Sequence, residues 1–154
     1  MSSRFPQILG NGEQMCLDKV NNYLNNTSGT GYKVFVRKFS AGRTRRLFGE
    51  NYQHDEFPEG YKVGYRLTAT DRMSASGKLQ SLYDGKIYEP GFHIFTSVKS
   101  AIRYARGFGY GAEVHQVRYS NAFVKGTQDG LNVIVAGNIK IGKLVWKGAI
   151  EYSR

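Results

Sequence analysis

Basic side chains are concentrated in one stretch of the sequence, and their chemistry suits the binding of phosphate. Residues 33–47 contain six Lys or Arg side chains and no Asp or Glu. Arg carries a permanent charge on a planar fork of N–H donors that matches phosphate oxygens. Contact with a nucleic-acid backbone is one hypothesis for this cluster, and a solvated face balanced by the acidic residues of 50–59 is the other. The basic cluster consists of Lys33, Arg37, Lys38, Arg43, Arg45 and Arg46.

Residue types that support catalysis or metal binding are sparse and poorly spaced. His54, His93 and His115 are far apart, and the chain has neither an HExxH motif nor a Cys/His spacing, so we do not expect a metal site. Cys16 is the single cysteine, which excludes an internal disulfide. The sequence also lacks the GxSxG motif, the P-loop and the dinucleotide-binding glycine pattern. The common nucleophilic and nucleotide-binding enzyme classes are therefore not indicated.

The charge balance points to an anionic partner. The chain has 154 residues, with 22 Lys plus Arg against 12 Asp plus Glu, which gives a formal net charge of +10. Such an excess attracts polyanions, phosphorylated ligands or acidic protein surfaces. A hydrophobic content of 40% is that of a globular protein rather than a disordered chain. No apolar run is long enough to cross a membrane, and a single cysteine fits a reducing compartment, so we expect a cytoplasmic protein without a membrane partner.

The N-terminal segment has a different pattern from the rest of the chain. Leu17, Val20 and Leu24 fall on one face of a helix, which predicts a helix over residues 12–26. The polar, glycine-rich stretch that follows predicts a loop up to Gly31. The expected organisation is a helical arm over residues 1–31 and a β-rich domain over residues 32–154.

Alternation of apolar and polar residues predicts that this domain consists mainly of strands. A helix is expected after the strand at 92–96, because the apolar residues of 98–105 form one stripe and Thr96 or Ser97 can cap it. The expected fold class is α+β, with an N-terminal helix, a mixed or antiparallel sheet and one embedded helix. The predicted strands cover residues 32–39, 61–70, 92–96, 112–119, 121–125, 132–136 and 139–146.

Residues 91–105 resemble a known strand–helix unit. Their sequence, Gly-Phe-His-Ile-Phe-Thr-Ser-Val-Lys-Ser-Ala-Ile-Arg-Tyr-Ala, is similar to that of ADP-ribosyltransferase-like domains, which include the poly(ADP-ribose) polymerases. In that unit a glycine, a short aromatic strand and a small polar residue precede a helix with an Ala and a Tyr. Arg37 stands in the first strand, where these domains carry a polar residue that contacts NAD, and the resemblance covers about residues 32–146. Similar Gly-Phe-His segments occur in small uncharacterised proteins of phages and large viruses.

The resemblance implies an ADP-ribosyltransferase-like fold with a pocket for NAD or a related nucleotide. Asn132 stands near the position where the late strand of the family carries a glutamate, so a lost or altered active site is implied. The protein would then be a small basic viral or phage-type protein that binds or inhibits a host factor or a nucleotide. The implied ligand-binding residues are Arg37 for phosphate, His93 and Tyr104 for a ring or ribose, and Thr96 and Ser97 for hydroxyl hydrogen bonds.

Three other functions stay open beside this one. An active NAD-dependent ADP-ribosyltransferase would use an unusual acid, such as Glu113 or Asp129. An inhibitor would dock on an acidic protein surface. A nucleic-acid-binding protein would use Lys33, Lys38, Arg43, Arg45 and Arg46. The expected partner is therefore a host protein or a nucleic acid, which the protein would meet in the host cytoplasm if it is viral. The oligomeric state is left open.

Overall fold

Strands dominate the structure. A computed structural model describes residues 17–39, 45–49, 57–69, 79–108 and 111–148, of which 66% lie in strands and 10% in helix. The strands of this described part are β1 (Lys19–Phe39), β2 (Arg45–Gly49), β3 (Arg66–Thr68), β4 (Leu79–Gln80), β5 (Ile87–Tyr88), β6 (Phe92–Phe95), β7 (Ala112–Gln128) and β8 (Leu131–Lys147). The helix α1 (Val98–Ala105) follows β6 and continues into a short 3₁₀ turn at Arg106–Phe108. Within these ranges no helix is long and apolar enough to cross a membrane.

Three long antiparallel strands form the body of the sheet. β1 has 21 residues, and β7 and β8 have 17 each. β7 and β8 form a hairpin in which Gln128 pairs with Leu131, and the turn residues Asp129 and Gly130 have positive φ angles of 55° and 78°. Two consecutive positive φ angles are typical of a type I′ turn, whose twist matches that of the paired strands. β1 runs antiparallel along the other edge of β7.

The sheet closes on itself through β6. This strand pairs with β8 from Phe92 opposite Ala136 to Phe95 opposite Val133. Phe95 is also paired with Tyr32 of β1. β1, β7, β8 and β6 therefore form a closed ring of strands, which leaves fewer open edges than a flat sheet. β2 extends the ring along the end of β1, and β3 extends it along β8.

Two hydrophobic cores lie on the two sides of this ring. Successive residues of β6 alternate between them, since Phe92 and Ile94 belong to one core and Phe95 to the other. The outer core lies beneath α1 and the β4–β5 hairpin, to which Ala101 and Leu79 belong. The inner core is enclosed by the strands and consists of Phe35, Leu47, Tyr61, Leu67, Phe92, Ile94, Val117, Ala122, Ala136, Ile139 and Ile141.

The N-terminal helix predicted from the sequence is wrong. β1 begins at Lys19, so the described part of the predicted helix is extended. Leu17 and Val20 are buried in the outer core, whereas Leu24 packs against the inner core. Val20 and Leu24 are four residues apart, and regular alternation would place them on one side of a strand, so the side chains of β1 change direction between them. Bulges in the pairing with β7, after Val20 and after Tyr23, cause this change.

The predicted α+β class is therefore wrong, because the described chain is mostly β. The ADP-ribosyltransferase-like architecture that was part of this prediction receives no support from the topology. The physical reason is that pairing with β7 along its full length overrides the local helical pattern of β1. β1 also runs without a break through residues 31 and 32, the expected boundary between arm and domain.

The glycine-rich segment expected to form a loop before residue 32 lies inside β1. A Cβ atom on Gly29 would lie 2.6 Å from the Oη of Tyr119, and one on Gly31 would overlap the side chain of Ile94. These glycines therefore mark a close approach of neighbouring groups rather than a turn.

The prediction of a strand followed by a capped helix in the middle of the chain is confirmed. β6 and α1 lie where the pattern places them. Ser97 is the N-cap, and its hydroxyl accepts a hydrogen bond from the N–H of Ser100. The strands predicted between residues 112 and 125 are parts of β7, and those between 132 and 146 are parts of β8.

Substitution of Gly31 by Ala should destabilise the fold by about 1–3 kcal/mol, because the added methyl group would overpack a close-packed interior. The free energy of unfolding in urea measures this effect. Gly107→Ala is the matched control, since no atom lies within 4 Å of a Cβ added there. We expect the control to change stability by less than about 0.5 kcal/mol. Equal stability of the two variants would contradict the close approach of Gly31 to Ile94.

Candidate functional site

Three basic side chains form a row across neighbouring strands on the outside of the ring. Arg66 of β3 is paired with Lys140 of β8, and Lys140 is paired on its other side with Arg118 of β7. Residues in register on neighbouring strands project from the same face, and strands lie about 4.8 Å apart, so this row is roughly 10 Å long. Both arginines are exposed and the lysine is half-buried. We call these three residues the basic row.

Burial of the intervening residues sets the outward direction of the basic row. Leu67 and Ile139 are buried in the inner core, and Tyr119 packs against it. Because side chains alternate along a strand, the residues on either side of these three face away from the inner core. The hydrophobic effect therefore positions the charged side chains, although it acts on their neighbours.

A second outward row, two residues along each strand, is polar and uncharged. Thr68 is paired with Asn138, and Asn138 with Ser120. The hydroxyl of Thr68 donates to Oδ1 of Asn138 at 3.0 Å. We call these three residues the polar row. Together the two rows line a groove of about 490 Å³.

The groove is positively charged, and no counter-charge lies among its described lining residues. Its lining residues include the whole basic row and no Asp or Glu. In the described ranges no carboxylate forms an ion pair with a member of the row. Like charges that face each other on neighbouring strands destabilise a sheet. The row therefore costs stability in the free protein, and a bound anion would offset that cost.

Lys33, the first residue of the predicted basic cluster, lies in the interior. It is 4% exposed, and its Nζ donates to the main-chain oxygen of His93 at 3.2 Å. The same atom lies 5.9 Å from the ring centres of Phe35 and of Phe92. A carbonyl and two aromatic faces thus surround this buried cation, in line with cation–π stabilisation. In this position Lys33 is not accessible to a nucleic acid.

The rest of the cluster is divided between surfaces. Lys38 is paired with Arg46 of β2, and its Nζ lies 4.9 Å from the ring centre of Phe48. Arg45 is exposed one residue before Arg46, so it projects from the other face of β2. Arg43 lies outside the described residues. The prediction that this cluster contacts nucleic acid stays untested, but the structure does not gather it on one face.

Arg37 forms an ion pair with Glu113. Its Nε and Nη2 donate to the two carboxylate oxygens at 2.8 and 3.2 Å. Oε1 of Glu113 also lies 2.9 Å from Nε2 of His115, whose Nδ1 lies 3.0 Å from the carbonyl oxygen of Gly142. Both partners of the His115 ring are acceptors, and the tautomer decides which ring nitrogen donates. Among the described residues no group of three or more His, Cys, Asp or Glu side chains could hold a metal ion.

The neighbours of Glu113 keep its carboxylate ionised. Burial raises the pKa of Glu113, but the hydrogen bonds from His115 and Arg37 outweigh burial and lower the pKa to about 2. Both oxygens of this carboxylate are occupied by cationic or ring donors. Glu113 is therefore the counter-ion of a buried network. The other acid considered for catalysis, Asp129, is a turn residue between β7 and β8.

His93 and Tyr104, which the resemblance places in one ligand pocket, are joined through Gln128 on the outer-core side of the sheet. Nδ1 of His93 lies 2.6 Å from Oε1 of Gln128, and Nε2 of Gln128 donates to the Tyr104 hydroxyl at 3.0 Å. Burial lowers the pKa of His93 to about 4. All three side chains are buried, at 2%, 8% and 2% exposure for His93, Tyr104 and Gln128. The sequence offered no sign of Gln128, because its role depends on the register of β7.

The remaining residues of the predicted ligand pocket lie apart from that buried pair. Thr96 is exposed, and the Ser97 hydroxyl caps α1. Arg37 lies five residues along β1 from Tyr32, the partner of Phe95, which is roughly 16 Å at 3.3 Å per residue. The pocket for NAD stays a prediction, and the structure does not bring its residues together. Its predicted members are Arg37, His93, Thr96, Ser97 and Tyr104.

Sequence reasoning misses the basic row because its members are far apart along the chain. A signal is nevertheless present, since each belongs to a triplet in which an apolar or aromatic residue separates a basic residue from a hydroxyl or amide residue. This alternation is typical of a strand with one solvated face. The strand register that aligns the three triplets is not visible in the sequence. The triplets are Arg66-Leu67-Thr68, Arg118-Tyr119-Ser120 and Asn138-Ile139-Lys140.

Comparisons with family models, with curated proteins and with solved structures find no significant match to this chain. The observations that bear on function are therefore the basic row, its lack of an ion-pair partner among the described residues, and the polar row beside it.

Replacement of Glu113 by Gln should make stability less dependent on pH in acid. The pKa of Glu113 falls from 4.5 to about 2 in the folded protein. Its ionised form therefore stabilises the fold above about pH 4.5, and this stabilisation is lost as the pH falls toward 2. At pH 7 the variant should lose about 1–3 kcal/mol of unfolding free energy, because Arg37 and His115 lose a charged acceptor. Urea denaturation between pH 7 and pH 2 should show this difference shrinking, and a constant difference would contradict the network.

His93 should remain neutral far below the ordinary pKa of histidine. Burial lowers its pKa from 6.5 to about 4, so its ring signals in an NMR titration should not move between pH 8 and pH 5. The unfolded chain takes up this proton near pH 6.5, so the histidine should reduce stability as the pH falls from 6.5 to 4. The His93→Asn variant assigns the signal by its absence. A midpoint near pH 6.5 would contradict the buried position.

Proposed function

We propose that this protein binds a double-stranded nucleic acid through the groove between the basic row and the polar row. The observation that carries the proposal is the alignment of Arg66, Lys140 and Arg118 across three strands without counter-charges in the described part of the chain. Neutralisation of backbone phosphates by such side chains releases counterions and drives binding. The formal charge of +10 adds long-range attraction to the same ligand.

The donor types in the groove fit phosphate and sugar. Arg presents paired N–H donors to phosphate oxygens, and Lys adds a mobile charge. Hydroxyl and amide side chains, such as those of Ser120 and Asn138, also contact the phosphates and sugars of nucleic acids. A row of charges roughly 10 Å long suits a polymer with repeated charges better than a single small anion.

The lack of a stacking surface in the groove favours a duplex over a single strand. Tyr119 is the one aromatic residue among the lining residues, and it packs against the inner core. Proteins that bind single strands generally stack bases on exposed aromatic rings. A duplex keeps its bases stacked and presents its backbone, so we expect contacts to phosphate and little dependence on sequence.

This proposal keeps the nucleic-acid function considered from the sequence and moves the contact surface. The cluster at residues 33–46 is divided between the interior and two faces, whereas the basic row faces solvent on one side. Inhibition of a host factor and binding of NAD stay predictions, and no observation on the described residues favours them over the groove.

Neutralisation of the basic row should weaken binding to a duplex and reduce its dependence on salt. The variant carries Arg66→Gln, Arg118→Gln and Lys140→Gln, and binding to 24-base-pair DNA and RNA duplexes is measured by fluorescence anisotropy from 50 to 200 mM salt. Each lost phosphate contact lowers the slope of log K against log salt by about 0.9, so the slope should fall by about 3. The loss should be similar for unrelated sequences, because the contacts are to the backbone.

A control variant removes the same charge elsewhere. It carries Lys→Gln substitutions at Lys19, Lys86 and Lys125, which are exposed and lie outside the groove. Its slope should stay close to that of the wild type. Equal slopes for the two variants, no duplex binding by the wild type at 50 mM salt, or equally tight binding to polyglutamate would each contradict the proposed function.

A further inference from the structure

The exposed face of α1 and of the 3₁₀ turn that continues it carries a second set of basic side chains. Lys99, Arg103 and Arg106 are all exposed, and in the described chain none of them is paired with a carboxylate. At 100° per residue they lie within about 60° of one another around the helix axis. The buried residues of α1 point in the opposite direction, into the outer core. We call these three basic residues the helix stripe.

The helix stripe is unfavourable for the helix itself. α1 contains no acidic residue, so no i,i+4 ion pair offsets the repulsion between Lys99 and Arg103. Lys99 lies in the first turn, where the partial positive charge of the helix disfavours a cation. Arg103 and Arg106 lie near the end of the helix, where the dipole favours them. α1 itself supplies no acidic partner for this repeated charge, and its exposure leaves it accessible to an anion outside the protein.

We infer that the helix stripe is a second phosphate-contact surface for the duplex bound at the groove. This inference rests on the proposed function. α1 packs on the outer side of the ring, and the basic row also faces outwards from the inner core. Both surfaces border β8, since β6 leads into α1 and is paired with β8, and β8 carries Lys140, so a ligand that lies along the outer side of β8 would contact both.

Measured along β8, the start of α1 lies at a distance from the basic row that a duplex can span. α1 follows β6, whose Phe95 is paired with Val133, and Lys140 lies seven residues further along β8. Seven residues correspond to roughly 23 Å of strand. A duplex rises about 3.4 Å per base pair, so about seven base pairs cover this distance. A ligand shorter than that should reach the groove without reaching the helix stripe.

The experiment compares a long duplex with a short one. The stripe variant carries Lys99→Gln, Arg103→Gln and Arg106→Gln, and the variant with substituted Lys19, Lys86 and Lys125 is again the control. Binding is measured to a 24-base-pair duplex and to a stem-loop with a stem of six base pairs, about 20 Å long. For the 24-base-pair duplex, the slope of log K against log salt should fall by about 3 in the stripe variant and not in the control. For the short stem-loop, the stripe variant should bind like the wild type.

Each outcome bears on a different claim. A stripe variant that matches the wild type on the 24-base-pair duplex would overturn the helix stripe and leave the groove intact. Loss of binding to the short stem-loop in the stripe variant would also overturn the inference, because the stripe would then be the primary site. No binding by the wild type would overturn the proposed function together with the inference. The thermal midpoint of the stripe variant should stay close to that of the wild type, since the substitutions relieve repulsion but also remove two charges that the helix dipole favours. This measurement separates a binding defect from a folding defect.

Discussion

The pairing of β1 and β8 with the two edges of β7 is the constraint on which the rest of the structure depends. In each of these strands, residues an even number of positions apart lie in different cores, as Val114 and Ala122 do in β7, so the side chains change direction along the strand. Bulges supply that change, and Asn26 and Asn121 take positive φ angles of 56° near two of them. Asn tolerates this left-handed backbone better than most residues, because its side chain can form local hydrogen bonds. The bulges thereby determine which residues reach the inner core and which stay outside.

Those elements of the fold that rest on local patterns could be predicted from the sequence. β6 and α1 combine a short apolar run, a capping Ser97 and an apolar helical stripe, and all of these signals are local. The N-terminal part of β1 could not be predicted, because bulges place Val20 and Leu24 on opposite sides of the sheet, and the spacing of Leu17, Val20 and Leu24 imitates a helical face. Gly29 and Gly31 also led to a wrong prediction, because glycines in a polar stretch are typical of a loop. Here they lie in β1, where close packing against Tyr119 and Ile94 leaves no room for a Cβ atom.

The candidate site depended on information that a single sequence does not carry. The net charge indicates an anionic ligand, but the densest run of basic residues sends Lys33 into the core and Arg37 to Glu113. The surface that remains positively charged is assembled from β3, β7 and β8 by their register. Because the side chains of a strand alternate between the two sides of a sheet, a run of basic residues in the sequence does not predict a basic surface. Residues 91–105 do contain a strand and a helix, and their His93 and Tyr104 are joined by Gln128 in the interior.

The tight turn between β7 and β8 has a consequence for the order of folding. A two-residue hairpin turn closes within about 1–10 µs, since its strands are neighbours in the chain. β1 must instead find β7 across the long segment that holds β2 to β6 and α1, and such non-local pairing slows folding. Once β1 is in place, the carboxylate of Asp18 accepts a hydrogen bond from the N–H of Gly130 at 3.0 Å. This hydrogen bond joins the start of β1 to the turn of the β7–β8 hairpin. We therefore expect β1, which pairs late, to stabilise the hairpin that forms first.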